Sequence, residues 1–120
     1  MVSVIIVNYN VYEDILKCIS SIKHNTKDIS FEFIVVDNNS TERDIDNITK
    51  DFPEVNYIKL DVNKGFGAAN NVALKEAKGD FILLINPDII VEDDSILVLL
   101  RFLKDNENAG AVGPILFKPG

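Results

Sequence analysis

The sequence predicts an α/β protein, a three-layer α/β/α sandwich around a mostly parallel sheet. Two observations carry that expectation. Short, continuous apolar runs rich in Val and Ile recur along the chain, as strands buried on both faces require. Between them lie segments whose apolar residues fall three and four apart, the spacing of one helix face. Regular alternation of the two favours parallel pairing, because a helical crossover returns the chain to the same end of the sheet.

Each element follows in order. Val2 to Val7 is a first strand. Asn10-Val11-Tyr12-Glu13 has the form of a capping box, and Ile15, Ile19 and Ile22 make one stripe of the helix behind it. Phe31 to Val36 is a second strand. Thr41-Glu42-Arg43-Asp44 is a further capping signature, predicting a helix that runs to about Asp51 and is stopped by Pro53. Val55 to Leu60 is a third strand. Asn63-Lys64-Gly65-Phe66-Gly67 signals a turn, Ala68 to Ala77 a helix, and Gly79 stands where a C-terminal cap would. Phe81 to Ile85 is the fourth and most apolar strand, broken by Asn86-Pro87-Asp88. Glu92-Asp93-Asp94 opens a helix to about Lys104, with its acids at the positive end. Ala109 to Gly113 begins another strand, followed by Ile115-Leu116-Phe117.

Composition narrows the function. The 120 residues read as one domain, 1–120, without repeat or linker. A formal charge of −7 and no basic run argue against nucleic-acid binding, where phosphate neutralisation dominates affinity. One Cys excludes an internal disulfide, and one His excludes a multi-His metal site. No apolar run approaches the roughly 20 residues that span a bilayer. The start carries no basic flank and no cleavage site, so a cytoplasmic protein is expected and its three Asn-x-Ser/Thr matches are chance. Cys18 fits the apolar side of the first helix as a buried thiol, and His24 ends that helix in solvent.

In parallel sheets ligands bind beyond the carboxyl ends of the strands. Those ends read Asn8-Tyr9-Asn10, Asp37-Asn38-Asn39-Ser40, Asp61 to Gly67, and Asn86-Pro87-Asp88. Asp37 is expected at the rim with a free carboxylate. It could accept from uracil or thymine N3–H, or from guanine N1–H and N2–H; the competing role is a cap for the helix at Thr41. Gly65 and Gly67 would let backbone approach a phosphate, with Lys64 adding one positive charge, or simply turn the chain into a helix. The pattern is not the dinucleotide fingerprint, since Asn70 stands where a Gly is needed, and no phosphate-binding P-loop occurs. Asp88 is the metal candidate, a strand-end carboxylate able to share Mg²⁺ or Mn²⁺ with a diphosphate. Asn86 could add a neutral oxygen or bond a ribose. The competing reading of Asn86-Pro87-Asp88 is a turn with no ligand.

Taken in order, Val-Ser-Val-Ile-Ile-Val-Asn-Tyr-Asn, Ile-Val-Val-Asp-Asn-Asn-Ser, Asn-Lys-Gly-Phe-Gly-Ala-Ala-Asn-Asn and Leu-Leu-Ile-Asn-Pro-Asp resemble glycosyltransferase family 2 over residues 2 to 117. The resemblance implies the GT-A fold, a Rossmann-like sheet of the nucleotide-diphospho-sugar transferase type, and inverting transfer from a nucleotide sugar. It implies that Asn8 and Tyr9 line the nucleotide pocket and that Asp37 contacts the base. It implies that Asn63, Gly65 and Asn71 border the nucleotide sugar, and that Asn86-Pro87-Asp88 occupies the Asp-x-Asp position whose last Asp, here Asp88, binds a divalent metal. Two departures stand out. Members often carry two acids where this chain has Asp37-Asn38, and Asp where it has Asn86. The Asn-Pro-Asp form is similar to that of rhamnosyltransferase-like members and hints at dTDP-rhamnose.

The resemblance further implies a UDP- or dTDP-sugar donor, a glycan or lipid-linked acceptor, and work on bacterial surface polysaccharide, with the full-length protein associated with the inner face of a membrane. No acid after Asp88 falls where the family's catalytic base does, so no catalytic residue is expected in this chain and the base is expected beyond Gly120. The chain then reads as the truncated, nucleotide-sugar-binding half of a longer GT-A domain. The alternative is a non-catalytic nucleotide-sugar-binding module. A receiver-like α/β domain fits less well, because Asn8-Tyr9-Asn10 replaces the paired acids that class carries after strand one. An apolar sheet edge near residues 109 to 117 makes a homodimer the expected association.

Overall fold

The computed structural model describes residues 1–41 and 47–114. Eight elements follow in order: β1 (Val2–Asn8), α1 (Tyr12–Asn25), β2 (Phe31–Asp37), α2 (Ile48–Asp51), β3 (Asn56–Lys59), α3 (Phe66–Glu76), β4 (Phe81–Leu84) and α4 (Ser95–Asp105). The four strands form one sheet in the order β3-β2-β1-β4, and every pairing is parallel.

Pleat alternation sorts the strand residues into two cores. Val2, Val4, Ile6, Phe33 and Val35 face one side and meet Ile15, Cys18, Ile19 and Ile22 of α1, Ile48 of α2, and Ile96 and Leu100 of α4. Ile5, Val7, Ile34 and Val36 face the other side and meet Ala69 and Ala73 of α3. Helices thus cover both faces, and three layers result. Each fully buried Ile contributes roughly 1.5–3 kcal/mol, so the α1 stripe alone is a large share of the core.

Strand order decides where a ligand can enter. From β1 the chain leaves through α1 to β2 and onward to β3. It then returns through α3, on the opposite face, to β4 on the far side of β1. The two crossovers diverge at β1, so a crevice opens beyond the carboxyl ends of β1 and β4.

Several expectations are corrected. Asn10 does not cap α1: it has φ 57°, Val11 holds the cap position, and no side chain caps it. Gly79 is not a helix cap, which falls at Ala77. A Cβ at Gly79 would stand 2.6 Å from the Ser3 backbone N and 2.8 Å from the Met1 carbonyl O, so glycine is needed for close approach to β1. Glu92 to Asp94 precede α4 rather than lie in it; the Asp93 carboxylate accepts from Ser95 N–H at 3.0 Å. Ala109 to Gly113 form no strand. Two glycines in five residues, with Pro114 next, disfavour one. The sheet edge on which a homodimer was expected is therefore not formed by 109–113, and Ile115-Leu116-Phe117 lie outside the described residues. Of the helix expected from Thr41 to about Asp51, Ile48–Asp51 form α2, and 42–46 lie outside the described residues.

Candidate functional site

The carboxyl ends of the strands divide into a closed half and an open half. The closed half joins β1 to β2, where Asn8 and Asp37 are neighbours in register. Asn8 Nδ2 donates to Asp37 Oδ1 at 2.9 Å and to Ser40 Oγ at 3.0 Å, and Asn8 Oδ1 accepts from Val11 N–H at 3.1 Å. The Ser40 hydroxyl donates to Asp37 Oδ1, and Ser40 N–H donates to Asp37 Oδ2 at 3.2 Å. Asn10 and Asn39 sit in the left-handed region, which Asn tolerates better than most residues. From there the Asn10 N–H also reaches Ser40 Oγ at 3.0 Å. The expectation of a free Asp37 carboxylate is thus corrected. Asp37 is 0 % exposed and among the described residues accepts three hydrogen bonds, which satisfy a carboxylate held in a protein interior. Asn8 is equally buried.

The open half is a hollow of about 460 Å³, within the size range of small-molecule sites. Val7, Tyr9 and Val11 from the end of β1, Asn38 after β2, Asn63, Gly65 and Phe66 at the start of α3, and Asn86-Pro87-Asp88 after β4 line it. Of the residues expected at the site, it brings together Tyr9, Asn63, Gly65, Asn86 and Asp88. It leaves Asn8 and Asp37 in the buried knot and Asn71 on the exposed side of α3. Asn38, Phe66, Val7, Val11 and Pro87 were missed as lining residues. Alternation alone could have found Asn38: Asp37 shares the α1 face with Phe33 and Val35, so the next residue turns toward α3.

Backbone geometry sets each wall. Gly65 has φ 83° and ψ 167°, a conformation almost confined to glycine, and its N–H donates to Asn63 Oδ1 at 2.9 Å. The turn is tied to β2, because Lys64 N–H donates to Asn38 Oδ1 at 2.8 Å. It aims the N-terminus of α3, an 11-residue helix with no acid in its first turn, at the hollow. Asp88 stands in a turn closed by Ile89 N–H to Asn86 O at 3.1 Å. Beyond it Val91 is anchored on α1 through Ser21 Oγ at 2.9 Å and Asn25 Nδ2 at 2.6 Å. Among the described residues the Asp88 carboxylate has no hydrogen bond or ion pair. Burial pushes the Cys18 thiol up to about 11, and the Asp88 charge adds to that shift. Cys18 is inert core, and His24 is exposed, as the sequence suggested.

Among the described residues no Lys or Arg side chain lines the hollow, and Asp88 is the one carboxylate that does. Among the described residues no three His, Cys, Asp or Glu converge. That donor set does not suit zinc, which takes three or four protein ligands. It fits Mg²⁺ or Mn²⁺, held by one or two protein carboxylates with phosphate oxygens and water completing the shell.

The family model described as "Glycosyl transferase family 2" matches residues 3–120. The chain belongs to this family. The poly(ribitol-phosphate) beta-glucosyltransferase of Bacillus spizizenii is 31% identical over 119 residues, covering 95% of this chain and 19% of that protein. The solved structure of Staphylococcus aureus TarS 1-349 in complex with UDP-GlcNAc superposes with a TM-score of 0.74 at 28% identity, over 88% of this chain and 32% of that one. The mannosyltransferase PcManGT from Pyrobaculum calidifontis, in complex with GDP-Man and Mn²⁺, gives 0.74 at 22% identity, over 85% and 32%. The fold is therefore GT-A, and the chain spans well under half the length of each of these proteins.

Proposed function

We propose that residues 1–120 are the donor-binding half of a longer inverting glycosyltransferase. The donor is a UDP- or dTDP-sugar, and the glycosyl group passes to a hydroxyl of a glycan or lipid-linked acceptor in bacterial surface polysaccharide synthesis. The work takes place in the cytoplasm, at the inner face of the membrane where the acceptor is lipid-linked. The observation that carries the reading is the hollow at the β1–β4 divergence, in which Asp88, unpaired among the described residues, faces the N-terminus of α3. The TarS complex with UDP-GlcNAc, at 28% identity, supports a nucleotide-sugar donor.

In this reading Tyr9 and Phe66, half exposed at 50 % and 56 %, flank the donor with apolar ring faces. Gly65 holds the turn that aims the first N–H groups of α3 at the diphosphate. Asp88 would hold the divalent cation, with Asn86 offering a neutral oxygen beside it. That cation, when bound, supplies charge stabilisation to the departing diphosphate. The cation would offset the repulsion between the diphosphate and the Asp88 carboxylate, in a hollow that no Lys or Arg among the described residues lines. Asn8, Asp37 and Ser40 act beneath this surface as positioning residues that set the ends of β1 and β2. The base that deprotonates the acceptor hydroxyl belongs to chain outside 1–120.

Calorimetric titration with UDP and dTDP, with and without Mn²⁺, on wild type and Asp88→Ala tests the proposal. Mn²⁺ should tighten nucleotide binding by tenfold or more, and Asp88→Ala should abolish that gain while leaving the fold intact. A metal gain that survives Asp88→Ala, or no nucleotide binding under any condition, would overturn it.

A further inference from the structure

Thr26 stands where the apolar stripe of α1 would continue. Ile15, Ile19 and Ile22 fall at helical spacing on the buried face, and Thr26 follows Ile22 by four residues. Its N–H closes the end of the helix onto Ile22 O at 3.0 Å. Its side chain is not satisfied in the same way. Thr26 is 5 % exposed, and its Oγ1 is buried with no hydrogen-bond partner among the described residues. A buried hydroxyl left unpaired is costly unless a ligand or water completes it.

Thr26 lines a second hollow, of about 420 Å³, where α1 ends and β2 begins. Ile29, Phe31 and Phe33 make its apolar wall, with the two rings 5.9 Å apart and tilted by 34°. Lys23 and Glu54 lie at its rim and form an ion pair, so their charges offset each other. Lys27 lines it as well, exposed, and its ammonium has no hydrogen bond or ion pair among the described residues. The negative end of a helix is worth about half a charge, less than Lys27 carries. The hollow thus combines an apolar wall, one uncompensated cation and one unpaired hydroxyl.

We propose that this hollow binds a small organic acid, its carboxylate held by Lys27 and the Thr26 hydroxyl and its apolar body laid against Phe31 and Phe33. A carboxylate only accepts hydrogen bonds, and an ammonium and a hydroxyl both donate them. Rotation about χ1 of Thr26 between staggered positions turns the hydroxyl to the ligand. The rings supply an apolar face that a small acid without a body cannot use. A single unpaired cation beside three apolar side chains suits one carboxylate better than a diphosphate, which carries more charge. The 14 residues of α1 span about 21 Å, with Val11 of the donor hollow before its start and Thr26 at its end. The acid site therefore stands apart from the donor-site reading.

Amide NMR titrations of the chain with benzoate, benzamide and acetate test this. Benzoate should shift Thr26, Lys27, Ile29, Phe31 and Phe33. Benzamide lacks the charge and acetate lacks the ring, and each should bind at least about fivefold more weakly. Lys27→Met keeps an apolar stem, and should weaken benzoate about fivefold while benzamide stays within twofold. Thr26→Val removes the hydroxyl and should weaken benzoate by roughly the same factor. Because that hydroxyl is unpaired in the free protein, Thr26→Val should leave the melting temperature unchanged or raise it. Three results overturn the inference: benzoate shifts that are absent or centred elsewhere, equal binding of benzoate and benzamide, or a lower melting temperature in Thr26→Val, which would assign the hydroxyl to the fold. None of them touches the donor site, which UDP titration tests separately.

Discussion

Asp37 ends β2 and Asp88 stands in the turn just beyond β4 of the same parallel sheet, and they have opposite fates. Asp37 is fully buried, accepts three hydrogen bonds and knots β1 to β2. Asp88 is exposed, carries no hydrogen bond among the described residues, and faces a hollow. Position at a strand end is common to both, so it cannot be what makes a site. What differs is the supply of donors. Asp37 turns toward the α1 face, where Asn8 and Ser40 wait. Asp88 stands in a turn whose own backbone bond, Ile89 to Asn86, uses none of its side chain. One acid is spent on the fold; the other is the one proposed to hold the cation.

That contrast can be broken by substitution. Asp37→Ala should cost roughly 2–4 kcal/mol, because it strands buried donors of Asn8 and Ser40. Asp88→Ala should change stability by less than about 0.5 kcal/mol. Urea unfolding of both variants measures the difference, and equal losses would erase the distinction. The two turn glycines sharpen it next. Gly65→Ala should cost about 1–3 kcal/mol, since its backbone conformation is nearly closed to side chains. Gly67→Ala should be neutral or stabilising by up to about 1 kcal/mol, because a Cβ there meets nothing within 4 Å and lies in a helix. Thermal unfolding decides.

The smallest effect concerns the one trace Asp88 leaves on the core. The Cys18 thiol is raised in the fold from 9.0 to about 11, so its contribution to stability is complete below pH 9 and is lost as pH rises toward 11. Cys18→Ala should flatten that alkaline decline. Asp88→Ala should lower the thiol's pKa slightly, because burial is the larger cause and the Asp88 charge the lesser. Thiolate absorbance against pH reads both.

Much of the fold was legible because buried parallel strands are continuous apolar runs, and all four were placed within a residue or two of their observed ends. Helices with a strong stripe, such as Ile15-Ile19-Ile22, were legible for the same reason. Caps were not. Asn10 followed three residues later by Glu13 has the right spelling, but the tertiary bond from Thr41 N–H to Asn10 Oδ1 at 2.9 Å takes that side chain elsewhere. The expectation at 109–113 rested on local apolar character and gave too little weight to Gly110, Gly113 and Pro114. Of the residues that line the hollow, Gly65, Asn86 and Asp88 were legible from strand ends, and Tyr9 and Asn63 from the family resemblance. Asp37 was misjudged and Asn38 passed over because the decisive fact is pleat parity between adjacent residues. That parity becomes visible only when the β2 core residues are assigned to their faces.

The central claim is that the open half of the rim, and not the knot beside it, takes the nucleotide. Backbone amide NMR shifts on titrating the chain with UDP and Mg²⁺ test this most directly. The account predicts changes concentrated at Tyr9, Asn38, Asn63 to Phe66, and Asn86 with Asp88, with Asn71 and the Lys27–Ile29 segment at the opposite end of the sheet unmoved. Shifts centred on Asn71 or on that opposite end, or none at saturating UDP, would contradict it.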